Sequence, residues 1–147
     1  MCVFQTTTAS SAQEIIGFAD VSDTGRVGLY VDASGKIGVG GTGGVVITSA
    51  WAGVNTWVVL TAVSHGPNEF DFDLYVNGSL VTSVTALTDK ARSVYNDFLQ
   101  MRAGAVPNHP ASAQLNGKLA IAKLWFGSLT AAQVDAEFQS LRSRFGL

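Results

Sequence analysis

The sequence predicts an all-β, antiparallel fold in a single domain, residues 1–147, closed by one C-terminal helix. Three observations predict it. Short runs rich in Val, Ile, Thr and aromatic residues alternate with turn-forming clusters, and sixteen glycines and three prolines supply those turns. Asn77-Gly78 stands between two such runs, and this dipeptide best fits a two-residue type I′ hairpin. The stretch after Leu129 changes to the 3.6-residue apolar period of a helix.

In order along the chain, Cys2 to Thr8 reads as a first strand and Ala9-Ser10-Ser11-Ala12 as a polar connection. Glu14 to Ala19 is a second strand, ended by the polar run from Asp20 to Gly25. Arg26 to Val31 and Lys36 to Val39 form a hairpin around Asp32-Ala33-Ser34-Gly35, where Gly35 suits a left-handed bulge position. Gly40 to Gly44 is expected as a flexible loop and Val45 to Thr48 as a short strand. Thr56 to Ser64 is β-branched and apolar on both faces, the pattern of a strand buried between two layers.

His65-Gly66-Pro67-Asn68 supplies a turn. From Phe70 the alternation is clean: Phe72, Leu74 and Val76 point one way, and Asp71, Asp73 and Tyr75 the other. After the Asn77-Gly78 turn, Ser79 to Val84 runs back. Thr85 to Tyr95 is polar loop, and Phe98 to Ala103 is a strand with Gln100 and Arg102 on one face. Val106 to Ser112 is a Pro-containing surface loop, and Gly117 to Phe126 is the last long strand. The helix is expected over about 131–145. Thr130 as N-cap and Gln133 make a capping box, and Leu129 with Val134 can form a hydrophobic staple. Val134, Phe138, Leu141 and Phe145 make one apolar stripe, and Gly146 suits the stop.

A Trp opening a strand, Trp57 through Val63, followed by Leu74-Tyr75-Val76-Asn77-Gly78, resembles the centre of laminin-G-like, concanavalin A-like jelly rolls. Asn116 to Trp125 is similar to the last strand of that family, and Leu129-Thr130 and a short helix follow as they do there. The resemblance implies a jelly-roll sandwich. It reaches both glycan-binding laminin-G-like domains and such domains on bacteriophage tail and capsid proteins. Family members have a strand ahead of the one that Cys2 to Thr8 resembles, and here Met1 takes its place. Either the chain was cut from a longer one, or the expectation is that a sheet edge near Gly117 to Phe126 is completed or covered by another chain. A homo-oligomer or a capsid or tail partner would satisfy it.

Composition narrows the function classes. A chain of this length buries roughly 70% of the surface that its unfolded form exposes. Hydrophobic residues are 47% and charged residues 14%, so a thick core with little charged cover is expected. The net charge of −2 comes with no Lys/Arg stripe, which removes the electrostatic case for nucleic acid. No apolar run is long enough for a membrane-spanning helix. Cys2 is the one cysteine, so no intrachain disulfide forms. The N-terminus lacks the basic and apolar regions of a signal peptide, and the expectation is folding in a host cytosol with a final place on a virion surface.

Asp71 and Asp73 are the most enzyme-like feature, projecting about 6.6 Å apart along one strand face, a separation within the roughly 5–9.5 Å used in glycoside hydrolysis. Jelly-roll glucanases carry a Glu-x-Asp-x-Glu strand, but upstream of the segment that resembles Trp57 to Gly78. The matching upstream segment here, Lys36 to Thr48, holds no acid. A non-catalytic face is therefore expected, with a glycosidase as the alternative. Tyr75 shares the face with Asp71 and Asp73, combining an apolar body with polar neighbours, which sugar recognition needs. If Gln100 and Arg102 come from the strand beside it, the five make one ligand-binding patch; a cross-strand Asp–Arg pair without ligand is the plainer reading.

Gly38 to Gly43 fits the dinucleotide spacing G-x-G-x-x-G, but a strand follows instead of a helix N-terminus, so the match is noise. His65 and His109 lack ligand-spaced companions and read as loop histidines. Asp20, Ser22 and Asp23 offer oxygens to Ca²⁺, and some laminin-G-like domains bind calcium. Their spacing lacks a regular ligand pattern, so a capped turn and no cofactor are expected. Asn77-Gly78-Ser79 is formally a glycosylation sequon, already explained by its hairpin. Trp51, Trp57 and Trp125 sit beside apolar strand residues and are expected in core or helix packing.

Overall fold

The computed structural model describes residues 1–8, 12–19, 26–41, 44–51, 53–64, 71–84, 100–103 and 114–147. Ten strands and one helix follow in order: β1 (Cys2–Thr6), β2 (Gln13–Ala19), β3 (Arg26–Val31), β4 (Lys36–Gly41), β5 (Gly44–Trp51), β6 (Trp57–Ser64), β7 (Phe72–Val76), β8 (Ser79–Val84), β9 (Gln100–Ala103), β10 (Gly117–Ala122) and α1 (Ala131–Phe145). They form two five-stranded antiparallel sheets, β10-β1-β6-β7-β8 and β5-β4-β3-β2-β9. The result is a jelly-roll sandwich with one C-terminal helix, as the sequence predicts.

The main core lies between the sheets. Phe4, Val58, Leu60, Phe72 and Leu74 from the first sheet meet Ile15, Ile16, Leu29, Val31, Ile37 and Val39 from the second. A second apolar layer lies on the outer face of the first sheet, where α1 docks. Val3 and Val59 pack on Phe138 and Leu141, and Val63 and Tyr75 pack on Val134. So β6 is apolar on both faces because the opposite sheet covers one face and the helix the other. This first sheet is called the helix sheet below, and the second the open sheet.

The helix ends are as expected. Gln133 N–H donates to Thr130 Oγ1 at 3.3 Å, Thr130 N–H donates to Gln133 Oε1 at 2.8 Å, and Gly146 closes the helix at φ 70°. Leu129 packs with Val134 in the staple position. Asn77 and Gly78 take φ 49° and 78°, the left-handed pair that a type I′ turn requires. Asn77 is further held because Val59 N–H donates to its Oδ1 at 2.9 Å.

Two expectations change. The glycine run after Val39 is not all loop: β4 continues to Gly41 and β5 begins at Gly44, because both find ladder partners in their neighbours. The last strand stops at Ala122, with Lys123 N–H still donating to Met1 O at 2.9 Å. Trp125 turns to the helix cluster and Phe126 is fully exposed. β10 forms the edge of the helix sheet, where the sequence placed an edge; it carries exposed Lys118 and a break in register opposite Val3/Phe4. Both features discourage indiscriminate strand pairing.

Candidate functional site

The five residues singled out from the sequence are divided between the two sheets. Asp71, Asp73 and Tyr75 belong to the helix sheet, whereas β9, which carries Gln100 and Arg102, is hydrogen-bonded to β2 in the open sheet. The strands beside β7 are β6 and β8. The single patch expected from adjacent strands is therefore not formed, because the pairing between strands is a tertiary choice.

On the helix sheet, Tyr75 is 5% exposed and packs with Val63, Leu129 and Val134, so its ring has no free face for stacking. Burial, then the charge of Asp73 and a hydrogen bond to it, hold the Tyr75 hydroxyl above the ordinary phenol pKa. Asp73 also accepts a hydrogen bond from Ser83 Oγ, its cross-strand partner, at 2.5 Å. These contacts give this carboxylate a structural job on β7.

The open sheet differs because no described helix or strand lies over its outer face. Its inward positions are the core residues Ile16, Leu29, Val31, Ile37 and Val39. The outward positions follow by alternation and register. One row crosses all five strands: Arg102 opposite Gly17, Gly17 opposite Gly28, Gly28 opposite Gly40, and Gly40 opposite Val45. Three neighbouring glycines thus leave the middle of the sheet without side chains. The next row holds Glu14, Tyr30, Gly38 and Ile47.

The space over the glycines is used by that second row. A Cβ on Gly28 would lie 2.9 Å from both Cζ and Oη of Tyr30 and 3.0 Å from Glu14 Oε1. The phenol end of Tyr30 therefore lies down over Gly28, beside the Glu14 carboxylate. Glu14 is 2% exposed, while Tyr30 keeps part of its surface open. Glu14 reaches this position through a register shift between Glu14 and Ile16. Without that bulge strict alternation would send Glu14 inward, and bulges often re-aim a side chain in this way. The extra residue lets Ile15 and Ile16 both enter the core. Gln13, fully buried, then faces the sandwich end, where its Oε1 accepts from Asn116 N–H at 2.8 Å and from Thr6 Oγ1 at 3.2 Å.

Sequence reasoning missed Glu14, Tyr30 and the glycine row. The available signal was Gly38-Val39-Gly40, glycines at a two-residue spacing in a strand-like run, which mark one bare face.

Other candidates fall into place. Trp57 packs on Phe145 with ring centroids 5.1 Å apart, and Trp125 joins the same cluster with Lys123 Nζ 6.0 Å from its ring centre. Both therefore serve helix packing, as expected. His65, His109, Asp20, Ser22 and Asp23 and the loops at 85–95 and 106–112 lie outside the described residues, as does the side chain of Trp51. Among the described residues no group of three or more His, Cys, Asp or Glu is placed to hold a metal ion.

Residues 3–135 match the Laminin_G_3 family, the concanavalin A-like lectin/glucanases superfamily. The sequence matches no curated protein. Among solved structures, the chain is similar to the native heptameric SAP-like pentraxin from Limulus polyphemus, at 14% identity and a TM-score of 0.69 over 91% of this chain and 65% of that one. It is also similar to the CBM40 module of the Ruminococcus gnavus IT-sialidase bound to α2,3-sialyllactose, at 12% identity and a TM-score of 0.70 over 93% of this chain and 79% of that one. A third likeness is to the NanB sialidase from Streptococcus pneumoniae, at 21% identity and a TM-score of 0.61 over 92% of this chain and 23% of that one. The chain thus spans less than two thirds of the pentraxin and a quarter or less of the sialidase. At these identities the likenesses show the fold.

Proposed function

The chain belongs to the concanavalin A-like lectin/glucanases superfamily, and we propose that within it the protein is a non-catalytic carbohydrate-binding module with its ligand on the outer face of the open sheet. One observation carries the reading. Tyr30, partly open to solvent, lies over Gly28 in a row of three neighbouring glycines, with Glu14 beside its hydroxyl. A sugar presents an apolar C–H face ringed by hydroxyls, and it is recognised by an aromatic surface with a few fixed polar groups. Tyr30 supplies the surface, and Glu14, being buried, acts as a positioning residue for the phenol. The sialyllactose-bound module among the similar structures supports the reading.

Catalysis is not part of it. Glycoside hydrolysis by the usual route needs two carboxyl groups about 5–9.5 Å apart across the ligand. Among the described positions of this face Glu14 is the one acid, and Asp71 and Asp73 belong to the other sheet. The alternative, a glycoside hydrolase of the jelly-roll glucanase type, would require β-glucan hydrolysis that Asp71→Asn or Glu14→Gln abolishes. The virion setting implied by the resemblance enters as part of the proposal, supported by that resemblance alone. Mass spectrometry of purified particles tests it.

The test of binding is a glycan array followed by titration calorimetry on the best ligand. Tyr30→Ala is expected to weaken binding about tenfold or more, the loss of roughly 1.4 kcal/mol or more. Gly28→Ala should act similarly by lifting the ring, although alanine itself adds only a methyl. Full binding by both variants, or no glycan bound by the wild type, would overturn the proposal.

A further inference from the structure

The geometry points to a second saccharide site, on the outer face of the helix sheet at the C-terminal end of α1, where a sugar bearing a carboxylate or sulfate lies across Trp57, Gln5 and Lys118. This site is separate from the Tyr30 face and does not depend on it. The three residues form one row. Val3 joins the layer under the helix and Phe4 the inner core, so Gln5 returns to the outer face. Gln5 lies opposite Trp57 on β6 and opposite Lys118 on β10, and residues directly opposite share a face. Leu119 packs into the inner core and Val59 under the helix, which puts Lys118 and Trp57 on that same outer side.

Each member of the row is placed and still accessible. Phe145, the last residue of α1, meets Trp57 with ring centroids 5.1 Å apart and a tilt of 57°. That contact fixes the indole and leaves it partly open to solvent. Gln5 Nε2 donates to Asn55 O at 2.7 Å, and the amide keeps a second N–H and its carbonyl oxygen for hydroxyls. Lys118 is exposed. An aromatic body, a fixed amide and an ammonium group in line match the C–H face, the hydroxyls and the acid group of a charged sugar. Adjacent strands are about 4.8 Å apart, so Trp57 and Lys118 are separated by roughly 10 Å, enough for a disaccharide.

The charges at this end favour an acidic sugar over a neutral one. Among the described residues neither Lys118 nor Arg144 is paired with a carboxylate. The Arg144 guanidinium lies 5.5 Å from the ring centre of Phe145, the ring that holds Trp57. The acids of α1 are engaged about two turns or more before Phe145: Glu137 pairs with Lys123 at 2.6 Å, and Asp135 accepts from Gln139 Nε2 at 3.1 Å. The carbonyl end of α1 carries partial negative charge, which Arg142 and Arg144 in the last turn offset. Lys118 therefore remains as an uncompensated cation in the row of Trp57. Such a local charge retains an anionic ligand although the whole chain has a net charge of −2.

The experiment titrates the whole chain, as wild type and as Tyr30→Ala, with lactose, sulfated lactose and a glucuronate-terminated disaccharide, by calorimetry and by tryptophan fluorescence. Expected is binding of at least one acidic probe about fivefold tighter than lactose, with a change in tryptophan emission, in both proteins. Raising NaCl from about 0.05 to about 0.5 M should reduce that advantage. Lys118→Gln, a change at an exposed side chain, should remove the advantage, and Arg144→Gln should reduce it. Trp57→Tyr, which keeps a ring against Phe145, should keep the acidic preference and lose the emission change; an emission change that persists there overturns the placement on Trp57. Acidic probes bound no tighter than lactose overturn the inference and leave the Tyr30 reading untouched. An acidic preference that survives Lys118→Gln, or that is lost in Tyr30→Ala, overturns the site. Neutral and acidic probes all bound fully by Tyr30→Ala, with the preference lost in Lys118→Gln, support this site and remove the Tyr30 reading. Failure of all three sugars to bind removes both.

Discussion

Gly78 and Phe138 make a contact that a double-mutant cycle can take apart. Gly78 sits at φ 78° in the β7–β8 turn, and a Cβ there would lie 2.8 Å from Cδ1 and 3.1 Å from Cγ of Phe138. Gly78→Ala therefore carries two costs. Left-handed backbone costs an L-residue about 1–2 kcal/mol, and pushing the ring out of its seat costs about 1–3 kcal/mol more. Phe138→Ala removes the ring from a cluster with Met1, Val3, Val59 and Leu141. At 9% exposure one edge of the ring is near solvent, so about 3 kcal/mol, the low end of the Phe→Ala range, is expected. In the double mutant the backbone cost stays and most of the steric cost goes. What remains is a 3.2 Å approach between the new methyl and Cβ of residue 138, which a small shift relieves. The two changes together should thus be milder than the sum of the singles by about 1–3 kcal/mol. Urea unfolding followed by the fluorescence of Trp57, which lies against the helix, measures all four corners. Additivity within about 0.5 kcal/mol, at constant m, would refute the seating of the helix on this turn.

Burial pushes the Cys2 thiol up to about 12, and the side chain is fully covered. Near pH 8 a thiol reagent should modify it only through unfolding, so labelling within the mixing time would contradict the structure. The Tyr75 hydroxyl is held above its ordinary value of 10.0, so the native state favours the protonated form. The resulting stabilisation is present below about pH 10 and lost as pH rises through the higher native value, and Tyr75→Phe should flatten that alkaline loss in unfolding curves. A wild type and variant with the same alkaline slope would rule this out. For the β10 edge, hydrogen exchange and sedimentation velocity give the check. A partner strand, as the sequence led us to expect, would protect the outward amides of Lys118 to Ala122 in a concentration-dependent way, and a monomer with those amides already protected would show that no partner is needed.

The elements legible in the sequence are those whose determinants lie within a few residues of each other. Thr130, Gln133 and Gly146 define the ends of α1 through hydrogen bonds inside one or two turns. Asn77-Gly78 and Asp32 to Gly35 place two hairpins by backbone conformation alone. The apolar pattern of Trp57 to Ser64 already required two covering layers, and the match to concanavalin A-like jelly rolls supplied the sandwich.

What the tertiary structure decided is which strand lies beside which, and so where side chains from distant segments meet. Gln100 and Arg102 were assigned to one strand, as found, but local pattern carries no information on whether β9 pairs with β7 or β2. Tyr75 was placed on the right face of β7, yet only the docking of α1 determines that this face is dry. The glycines from Gly40 onward read as loop because glycine disfavours isolated strands. Between β3 and β5, Gly40 and Gly41 are held by ladder hydrogen bonds from both sides, and the missing side chain of Gly28 on β3 makes room for Tyr30. The sequence alone therefore determined the elements, their turns and the fold family. The packing of the sheets and helix decided which side chains meet on each face, because that outcome depends on contacts between residues far apart in the chain.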